Sequence, residues 1–246
     1  MIIRCHQQGR YLREAVESVN AQTCRPQLIV VIDDGSTDET ADVLAALGDN
    51  PVPIATVVRS PARGAVASLN DGIGAAQACD LVCALDADDR LSPRFLELTS
   101  AALHADPTAG LAYGEVRAFG VETWVEPASA FELDHLLVGN YVPVTALLRR
   151  QVYEQVGPFD ERFARIGFED WEFWTRAAAV GVAGVAVDGC WLEYRRTAAG
   201  TRNTMSFTRA LRARAIIWYR HRRSLRPRHL TRWLGAEAGR RRRGAR

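Results

Sequence analysis

The sequence predicts an α/β fold with a mostly parallel central sheet flanked by helices. Over the first 120 residues, short aliphatic runs alternate with segments whose apolar residues recur at helical spacing, which is the pattern of successive β-α-β units. The clearest run, Leu28–Ile32, is aliphatic throughout, as expected for a strand covered on both faces. After residue 120 the alternation weakens, so we expect the second half to mix strands and helices.

The elements of the first half follow in order along the chain. Met1–Ile3 opens a strand, and Tyr11–Ala21 is predicted to be the first crossover helix because its apolar residues lie on one helical face. The same patterns place the other strands at Ala55–Val58 and Leu81–Leu85, and the other helices at residues 65–76 and after Ser92-Pro93.

The second half is predicted from shorter patterns. Glu169–Ala179 and a basic stretch from Phe207 to about Arg223 have helical spacing. The strands expected in this half are Leu111–Phe119, Val144–Leu148, Val185–Val187 and Trp191–Tyr194.

Charge is distributed unevenly along the chain. Residues 202–246 hold 15 arginines and one acid, whereas residues 1–201 hold 16 arginines and 28 acids. The body therefore carries a charge near −12 and the C-terminal end a charge near +14. This split predicts a folded domain over residues 1–205 and a basic tail, helical or disordered, over residues 206–246.

Acidic clusters end two of the predicted strands. Asp33–Ser36 follows one strand and Asp86–Asp89 follows another, and because carboxyl ends of parallel strands meet at one edge, their five carboxylates are expected to share that edge. We call these five side chains the acidic rim. Asp33–Ser36 alone favours a plain turn, and Asp86–Asp89 alone suits a solvated acidic loop as well as a site. The two together favour a site for Mg²⁺ or Mn²⁺, which relieves carboxylate repulsion. Such a cation would neutralise the charge on a departing nucleotide diphosphate.

Four segments carry motifs in a definite order. They read YLREAVESVNAQT, IVVIDDGSTDET, LVCALDADDRLSP, and VGPFDERF followed by GFEDWEFWTRA. In this order and spacing they resemble family 2 glycosyltransferases over roughly residues 2–200. The resemblance implies a GT-A (Rossmann-like) fold, with a nucleotide-sugar-binding half at residues 1–120 and an acceptor-binding half at residues 121–205. It also implies inverting transfer of a sugar from a nucleotide diphosphate to a hydroxyl.

The resemblance implies roles for residues of the donor side. Asp34 matches the residue that contacts the nucleotide base, and Arg63 lies near the base or the phosphates. Asp86 and Asp88 match the D-x-D aspartates that bind ribose and metal, with Asp89 beside Asp88 as a second metal ligand.

On the acceptor side, Asp170 matches the general base, because an inverting reaction must remove the proton of the attacking hydroxyl. Glu169 shares that role or binds the acceptor, and Trp171 either packs in the core or reaches the acceptor. In relatives the first strand starts earlier and ends in a proline-aromatic-asparagine segment. We therefore expect this chain to begin inside that strand, with Arg4 and His6 in donor binding and His6 stacked on the base.

Later motifs bear on the metal and on the product. Tyr194–Thr197 lacks the histidine that often follows a Y-R-R-like run in relatives, so no histidine ligand is expected there. The chain also lacks the Q-x-x-R-W segment of processive synthases, which indicates a single sugar addition.

Two other classes of function remain open. A non-catalytic family member would bind nucleotide sugars or scaffold a biosynthetic complex without turnover, since the first donor loop departs from the usual pattern. A nucleic-acid-binding protein would act through the tail, but nothing in the acidic body supports it and we expect no nucleic acid partner. A dinucleotide-dependent dehydrogenase is excluded because no G-x-G-x-x-G follows the first strand.

Partners and location are expected as follows. The resemblance implies a UDP-, dTDP- or GDP-linked sugar as donor, and an acceptor hydroxyl on a lipid-linked molecule or a glycan. No apolar run approaches the roughly 18 residues that cross a bilayer, and no signal segment is present, so we expect a cytoplasmic protein. Trp218, Tyr219 and Trp233 among arginines indicate peripheral contact with the inner face of the membrane, or simply a solvated basic end.

Overall fold

A parallel sheet of four strands forms the first half of the protein, as seen in a computed structural model that describes residues 1–197 and 207–244. Its strands are β1 (Ile2–Cys5), β2 (Ile29–Asp33), β3 (Ile54–Val58) and β5 (Ala84–Asp86). Their spatial order is β3-β2-β1-β5, so the direction of strand addition reverses beside β1. In sheets of this kind the crevice beyond the carboxyl ends at the reversal is where ligands bind.

Helices cover both faces of this sheet. They are α1 (Gly9–Asn20), α2 (Thr40–Ala45), α3 (Ala65–Ala75) and α4 (Phe95–Ala105). Alternate residues of β1 point to opposite sides: Ile3 packs with the buried face of α1, whereas Ile2 packs with that of α3. The two-sided burial confirms the expectation from the unbroken aliphatic run in β2.

A second sheet of mixed direction forms the other half. Its strands are β4 (Leu81–Val82), β6 (Arg90–Leu91), β7 (Ala109–Gly120), β8 (Trp124–Glu126), β9 (Leu147–Arg149) and β10 (Ala183–Arg196). They lie in the order β4-β9-β7-β10-β6, with β8 beside β7. The long strands β7 and β10 run parallel and the remaining pairs are antiparallel.

Two expected strand assignments were wrong. The run Leu81–Leu85 is not one strand: it divides at Cys83, so that β4 pairs with β9 and β5 pairs with β1. Conversely, the two short strands expected around residues 185–194 are one strand, β10, with a register shift between Ala186 and Trp191. An aliphatic run indicates burial but not the pairing partner, which is why both strand assignments from the sequence were wrong.

The remaining helices lie on the side of the second sheet. They are α5 (Leu133–Leu136), α6 (Arg150–Val156), a 3-10 turn (Glu161–Phe163), α7 (Glu169–Ala179), α8 (Phe207–Arg220) and α9 (Pro227–Gly244). Within the two described ranges, no helix combines the length and the apolar character that crossing a bilayer requires.

Helix α8 is packed into the domain core and is not a free appendage. Ala213 and Ile217 are fully buried in the cluster that contains the aromatic residues of α7. Arg220 forms ion pairs with the buried Glu172 of α7 and with Asp160. The sequence predicted a tail because arginines dominate its composition, but one face of this helix is apolar and its Arg220 pairs with carboxylates. The boundary expected between residues 205 and 206 lies outside the described residues.

Candidate active site

Strand register brings the predicted donor residues to one edge of the parallel sheet. Arg4 on β1 lies beside Asp86 on β5, and Cys5 lies beside Asp33 at the end of β2. The acidic segments that follow β2 and β5 therefore flank the end of β1. This is the crevice at which strand order reverses.

Arg4 joins the two halves of the protein across this edge. Its Nε donates to Oδ1 of Asp86 at 2.7 Å, and its terminal nitrogen donates to Oε1 of Glu169, at the start of α7, at 3.1 Å. Burial by itself would lower the pKa of this guanidinium, but the two carboxylates outweigh burial and raise the pKa. Arg4 is only 9% exposed, and the donor contact expected of it stays a prediction.

Asp170 follows Glu169 in the first turn of α7. One of its carboxylate oxygens accepts the backbone N–H of Trp171 at 2.7 Å, and the other accepts the side-chain amide of Asn140 at 2.8 Å. Burial and then the neighbouring charge of Glu169 raise the pKa of Asp170 to about 7, against the opposing effects of these hydrogen bonds and of Arg4. A carboxyl that titrates near neutral pH suits a general base.

The D-x-D segment provides two carboxylates that face the crevice and one that does not. Asp86 and Asp88 are partly exposed, and burial together with the charge of Asp86 raises the pKa of Asp88 to about 6. Asp89 is 3% exposed and accepts the backbone N–H of Arg195, on β10, at 2.7 Å. The metal contact expected of Asp89 does not fit this orientation, because its carboxylate anchors β10.

The two carboxylates that remain, those of Asp86 and Asp88, suit a metal ion that is bound partly by the protein and partly by the substrate. Within residues 1–197 and 207–244, no three carboxylate, imidazole or thiol side chains converge as a protein-only metal site. Burial and, after it, the charge of Asp86 raise the pKa of Asp88, and a cation beside this carboxylate would relieve both effects. Mg²⁺ and Mn²⁺ are commonly held by one or two carboxylates plus phosphate oxygens, so the residues fit such an ion.

Asp34 builds the loop that carries Arg63. Its carboxylate accepts the backbone N–H groups of Arg63 at 2.8 Å and Gly64 at 2.6 Å, and the guanidinium of Arg59 at 3.0 Å. Burial raises its pKa, but these hydrogen bonds prevail and the pKa is lowered, so Asp34 is ionised. The side chain of Arg63 is about half exposed and pairs with Asp71. The contacts of Asp34 and Arg63 with a nucleotide stay predictions.

His6 lies on the same edge with an exposed ring. Its Nδ1 is 2.8 Å from the carbonyl oxygen of Asp34, which fixes the imidazole beside the loop after β2. Gln7 follows with a left-handed φ of 56° and donates its backbone N–H to Ser36. The position is accessible to a planar base, and the stacking expected of His6 stays a prediction.

Trp171 is a core residue and does not face an acceptor. It is 2% exposed, and its indole N–H donates to the carbonyl oxygen of Leu136 at 2.6 Å. The acceptor contact expected of Trp171 does not fit this burial, whereas the alternative of core packing does, because successive residues of a helix point about 100° apart and Trp171 turns into the core.

Three residues of the site were not anticipated. Arg59 follows β3 as Asp34 follows β2, so its place at a strand end was a signal that the sequence offered. Arg195 holds Asp88 and Asp89 through β10, and Asn140 reaches Asp170 from a connecting segment. Arg195 lies in the Y-R-R-like run, but the sequence did not indicate its contacts with Asp88 and Asp89, and Asn140 had no sequence signal, because both contacts join residues distant in the chain.

The comparison with protein families agrees with this geometry. The model of glycosyl transferase family 2 matches residues 1–167. The chain belongs to this family. The match ends three residues before Asp170, so the acidic rim lies inside the matched segment and the start of α7 lies just beyond it.

Relatives of this family member come from several bacteria. A glycosyltransferase of PGL/p-HBAD biosynthesis from Mycobacterium tuberculosis is 29% identical over 66% of this chain and 62% of its own length. An uncharacterised glycosyltransferase of Nostoc sp. is 29% identical over 65% of this chain and 53% of its own length. The chain thus spans between half and two thirds of the length of these relatives.

Solved structures show that this family 2 chain has the GT-A fold. Staphylococcus aureus TarS in complex with UDP-GlcNAc superposes with a TM-score of 0.70 at 18% identity, over 88% of this chain and 65% of TarS. A mannosyltransferase from Pyrobaculum calidifontis in complex with GDP-Man and Mn²⁺ superposes with a TM-score of 0.61 at 18% identity, over 96% of this chain and 68% of that one. At these identities the similarity concerns the fold.

The double ion pair of Arg4 predicts a large loss of stability on its removal. Arg4→Met leaves the carboxylates of Asp86 and Glu169 without their shared cation, and we expect the free energy of unfolding to fall by about 3 kcal/mol. Urea unfolding followed by circular dichroism measures this. As a matched control, Arg162→Met removes a guanidinium that is 64% exposed and should cost less than about 1 kcal/mol. Equal losses in the two variants would contradict the central role of Arg4.

Proposed function

We propose that this chain transfers a sugar from a nucleotide diphosphate sugar to an acceptor hydroxyl, with inversion at the anomeric carbon and a single addition per acceptor. The observation that carries this proposal is the bridge of Arg4 between Asp86 and Glu169. It sets the D-x-D segment, which suits a diphosphate and its metal, next to a carboxyl with the pKa of a base, Asp170.

The donor half of the proposal rests on the edge of the parallel sheet. His6 and the loop held by Asp34 offer a place for the base, Arg63 a cation for the phosphates, and Asp86 an acceptor for ribose hydroxyls. TarS was solved with UDP-GlcNAc and the Pyrobaculum enzyme with GDP-Man, which supports a nucleotide diphosphate sugar of the UDP, dTDP or GDP type.

Asp88, together with Asp86, is the site that we propose for Mn²⁺ or Mg²⁺. When bound, such an ion supplies Lewis-acid stabilisation of the negative charge on the leaving diphosphate. Asp89 and Arg195 take no ligand role in this proposal: they hold the D-x-D turn in place from the side of β10. Mn²⁺ in the structures of the Pyrobaculum mannosyltransferase and of GalNAc-T7 supports the assignment of metal.

The chemistry needs one proton transfer and one displacement. A carboxylate oxygen of Asp170 removes the proton of the acceptor hydroxyl while the hydroxyl oxygen of the acceptor forms a bond to the anomeric carbon. The bond from this carbon to the phosphate oxygen breaks on the opposite face, and the diphosphate leaves with the electron pair. Glu169 keeps an anionic charge near the oxocarbenium-like carbon and is the proposed acceptor contact beside the base.

Substitution of the base tests this mechanism. Asp170→Asn keeps the shape of the side chain but removes the proton acceptor, so we expect transfer with Mn²⁺ to fall by roughly 10²–10⁴-fold. Transfer from UDP-, dTDP- and GDP-sugars is measured with Mn²⁺ and with a chelator, and the chelator should lower the rate of the wild-type protein. Asp49→Asn is the matched control, since Asp49 is exposed before β3, at the other end of the sheet.

The outcome separates an enzyme from a binding protein. Unchanged transfer by Asp170→Asn would contradict the role of Asp170 as the base. A transfer rate that the chelator does not lower would contradict the role of the metal. Calorimetric binding of nucleotide sugars without turnover by the wild-type protein would favour the alternative of a non-catalytic scaffold.

The pKa of Asp170 predicts the pH dependence of the rate. A base must be deprotonated, and because the pKa is raised to about 7, the active fraction falls as the pH drops through that value. We expect kcat/KM, which reports the groups of the free protein, to decrease about tenfold per unit well below pH 7 and to level off above about pH 8. A kcat/KM that does not change between pH 5 and pH 8 would contradict this assignment. This range extends from about two units below the pKa of Asp170 to about one unit above it.

The C-terminal helices provide a surface for an anionic membrane in this proposal. Leu230 and Leu234 lie on one face of α9 and are 46% and 52% exposed, and the same stretch of the chain has exposed arginines at positions 222, 223, 226 and 232. Cationic and apolar side chains in one region favour the interface of an anionic bilayer. The proposed location is therefore the cytoplasm, at the inner face of the membrane, with a lipid-linked molecule or a glycan as acceptor.

Vesicle binding tests this surface. The protein should sediment with vesicles of phosphatidylglycerol and phosphatidylcholine but not with phosphatidylcholine alone, and Arg226→Glu should weaken sedimentation several-fold. Arg13→Glu reverses an exposed charge on α1 and is the matched control. An equal loss of sedimentation in both variants would mean that only the net charge of the protein matters. Sedimentation that Arg226→Glu does not weaken would contradict membrane binding through this face.

A further inference from the structure

We propose that Asn140 is a positioning residue for the base Asp170, and that helix α8 holds Asn140 in place from outside the segment that the family model matches. The inference rests on the proposed function, since it concerns how the base of that reaction is oriented. It assigns a catalytic purpose to the C-terminal helices, whose composition indicated only a basic tail.

The amide of Asn140 is fixed in one orientation. Its oxygen accepts the backbone N–H of Val142 at 3.3 Å, and its nitrogen donates to the carboxylate of Asp170 at 2.8 Å. A rotated amide would set its oxygen against the Asp170 carboxylate and its nitrogen against the Val142 donor, so both contacts select the same rotamer. The second carboxylate oxygen of Asp170 is occupied by the N–H of Trp171. Asn140 therefore determines the direction of the remaining lone pairs.

The segment that leads to Asn140 is held by three successive carbonyl groups. Leu136 accepts the indole N–H of Trp171 at 2.6 Å, Leu137 accepts that of Trp218 at 2.8 Å, and Val138 accepts the guanidinium of Arg214 at 2.5 Å. Two of these three donors belong to α8. A backbone with three consecutive side-chain contacts has little freedom, which fixes the position from which Asn140 reaches Asp170.

The donors on α8 are themselves held by aromatic contacts. The guanidinium of Arg214 lies over three rings, at 4.9 Å from Trp171, 5.5 Å from Trp218 and 5.0 Å from Trp233 of α9. Trp218 and Trp233 meet edge to face at 5.9 Å. These contacts join the base helix α7, the segment before Asn140 and both C-terminal helices in one unit.

The other end of the segment is held by α9. His229 is fully buried and its Nε2 lies 3.1 Å from a carboxylate oxygen of Asp134, to which Arg228 also donates. The residues from Leu133 to Asn140 thus have fixed contacts at both ends and along their carbonyl groups.

Asn140 acts on a carboxyl that has few charged neighbours. Glu169 on the same helix raises the pKa of Asp170, and Arg4 on β1 lowers it. The segment before α6 contributes the neutral amide of Asn140. This amide donates a hydrogen bond to the ionised carboxylate of Asp170 and lowers the pKa of Asp170. Loss of this donor has two effects: the pKa of Asp170 rises and the carboxylate gains freedom to rotate away from the acceptor.

Three variants test the chain of contacts. Asn140→Ala removes an exposed amide, and Trp218→Phe removes the indole N–H together with the five-membered ring while it keeps a six-membered aromatic ring. Arg212→Ala is the matched control, because Arg212 is exposed on the same helix. For each, kcat and KM for donor are measured across pH, and the Asp170 carboxyl is titrated by ¹³C NMR, with its signal assigned by its absence in Asp170→Asn.

Asn140→Ala should lower kcat on the order of tenfold, as for one hydrogen bond to a charged group, with KM unchanged and the Asp170 titration moved to higher pH. Trp218→Phe should lower kcat by about threefold, and this effect should vanish in the Asn140→Ala background, since both act through one amide. Arg212→Ala should match the wild-type protein.

An equal effect of Trp218→Phe in both backgrounds, or a fall in Tm without any movement of the Asp170 titration, would overturn the proposal. If the wild-type protein transfers no sugar, the proposed function fails, yet the NMR titration still decides whether Asn140 and α8 set the state of Asp170.

Discussion

The arrangement of the site depends on the ion pairs of Arg4. This buried guanidinium sits in the central strand β1 and has one carboxylate partner from each half of the protein, Asp86 and Glu169. Without it, two carboxylates would face each other across the crevice, and their repulsion would separate the D-x-D segment from helix α7. A buried cation between two acids therefore fixes the distance between donor side and base side.

The same crevice concentrates acidic groups that burial keeps from being fully ionised. Asp88 and Asp170 both have pKa values raised toward neutrality, and in each case burial comes first and a neighbouring carboxylate second. Asp34 shows the opposite balance, because backbone N–H groups and Arg59 keep it ionised in spite of burial. The three aspartates thus suit three tasks: a cation ligand, a base and a loop anchor.

The C-terminal helices extend the domain and complete the support of Asp170. Helix α8 buries an apolar face against α7, and its Arg214 and Trp218 hold the carbonyl groups that precede Asn140. A basic composition is compatible with this role because the arginines that matter are neutralised by carboxylates or lie over indole rings. Packing and surface charge can therefore coexist on one amphipathic helix.

The sequence by itself determined the α/β class, the first crossover helix, the mixed second half and the family, because apolar periodicity and ordered motifs are local properties of the chain. It also indicated which carboxylates follow the ends of strands, and so predicted that Asp34 and Asp86 lie at one edge of the sheet. Only the tertiary structure decided that Asp89 anchors β10, that Trp171 is buried and that the run containing Cys83 divides between two sheets. Each of these outcomes depends on which distant segment of the chain supplies the hydrogen-bonding or packing partner. Contacts between distant segments produce no periodic pattern in the sequence.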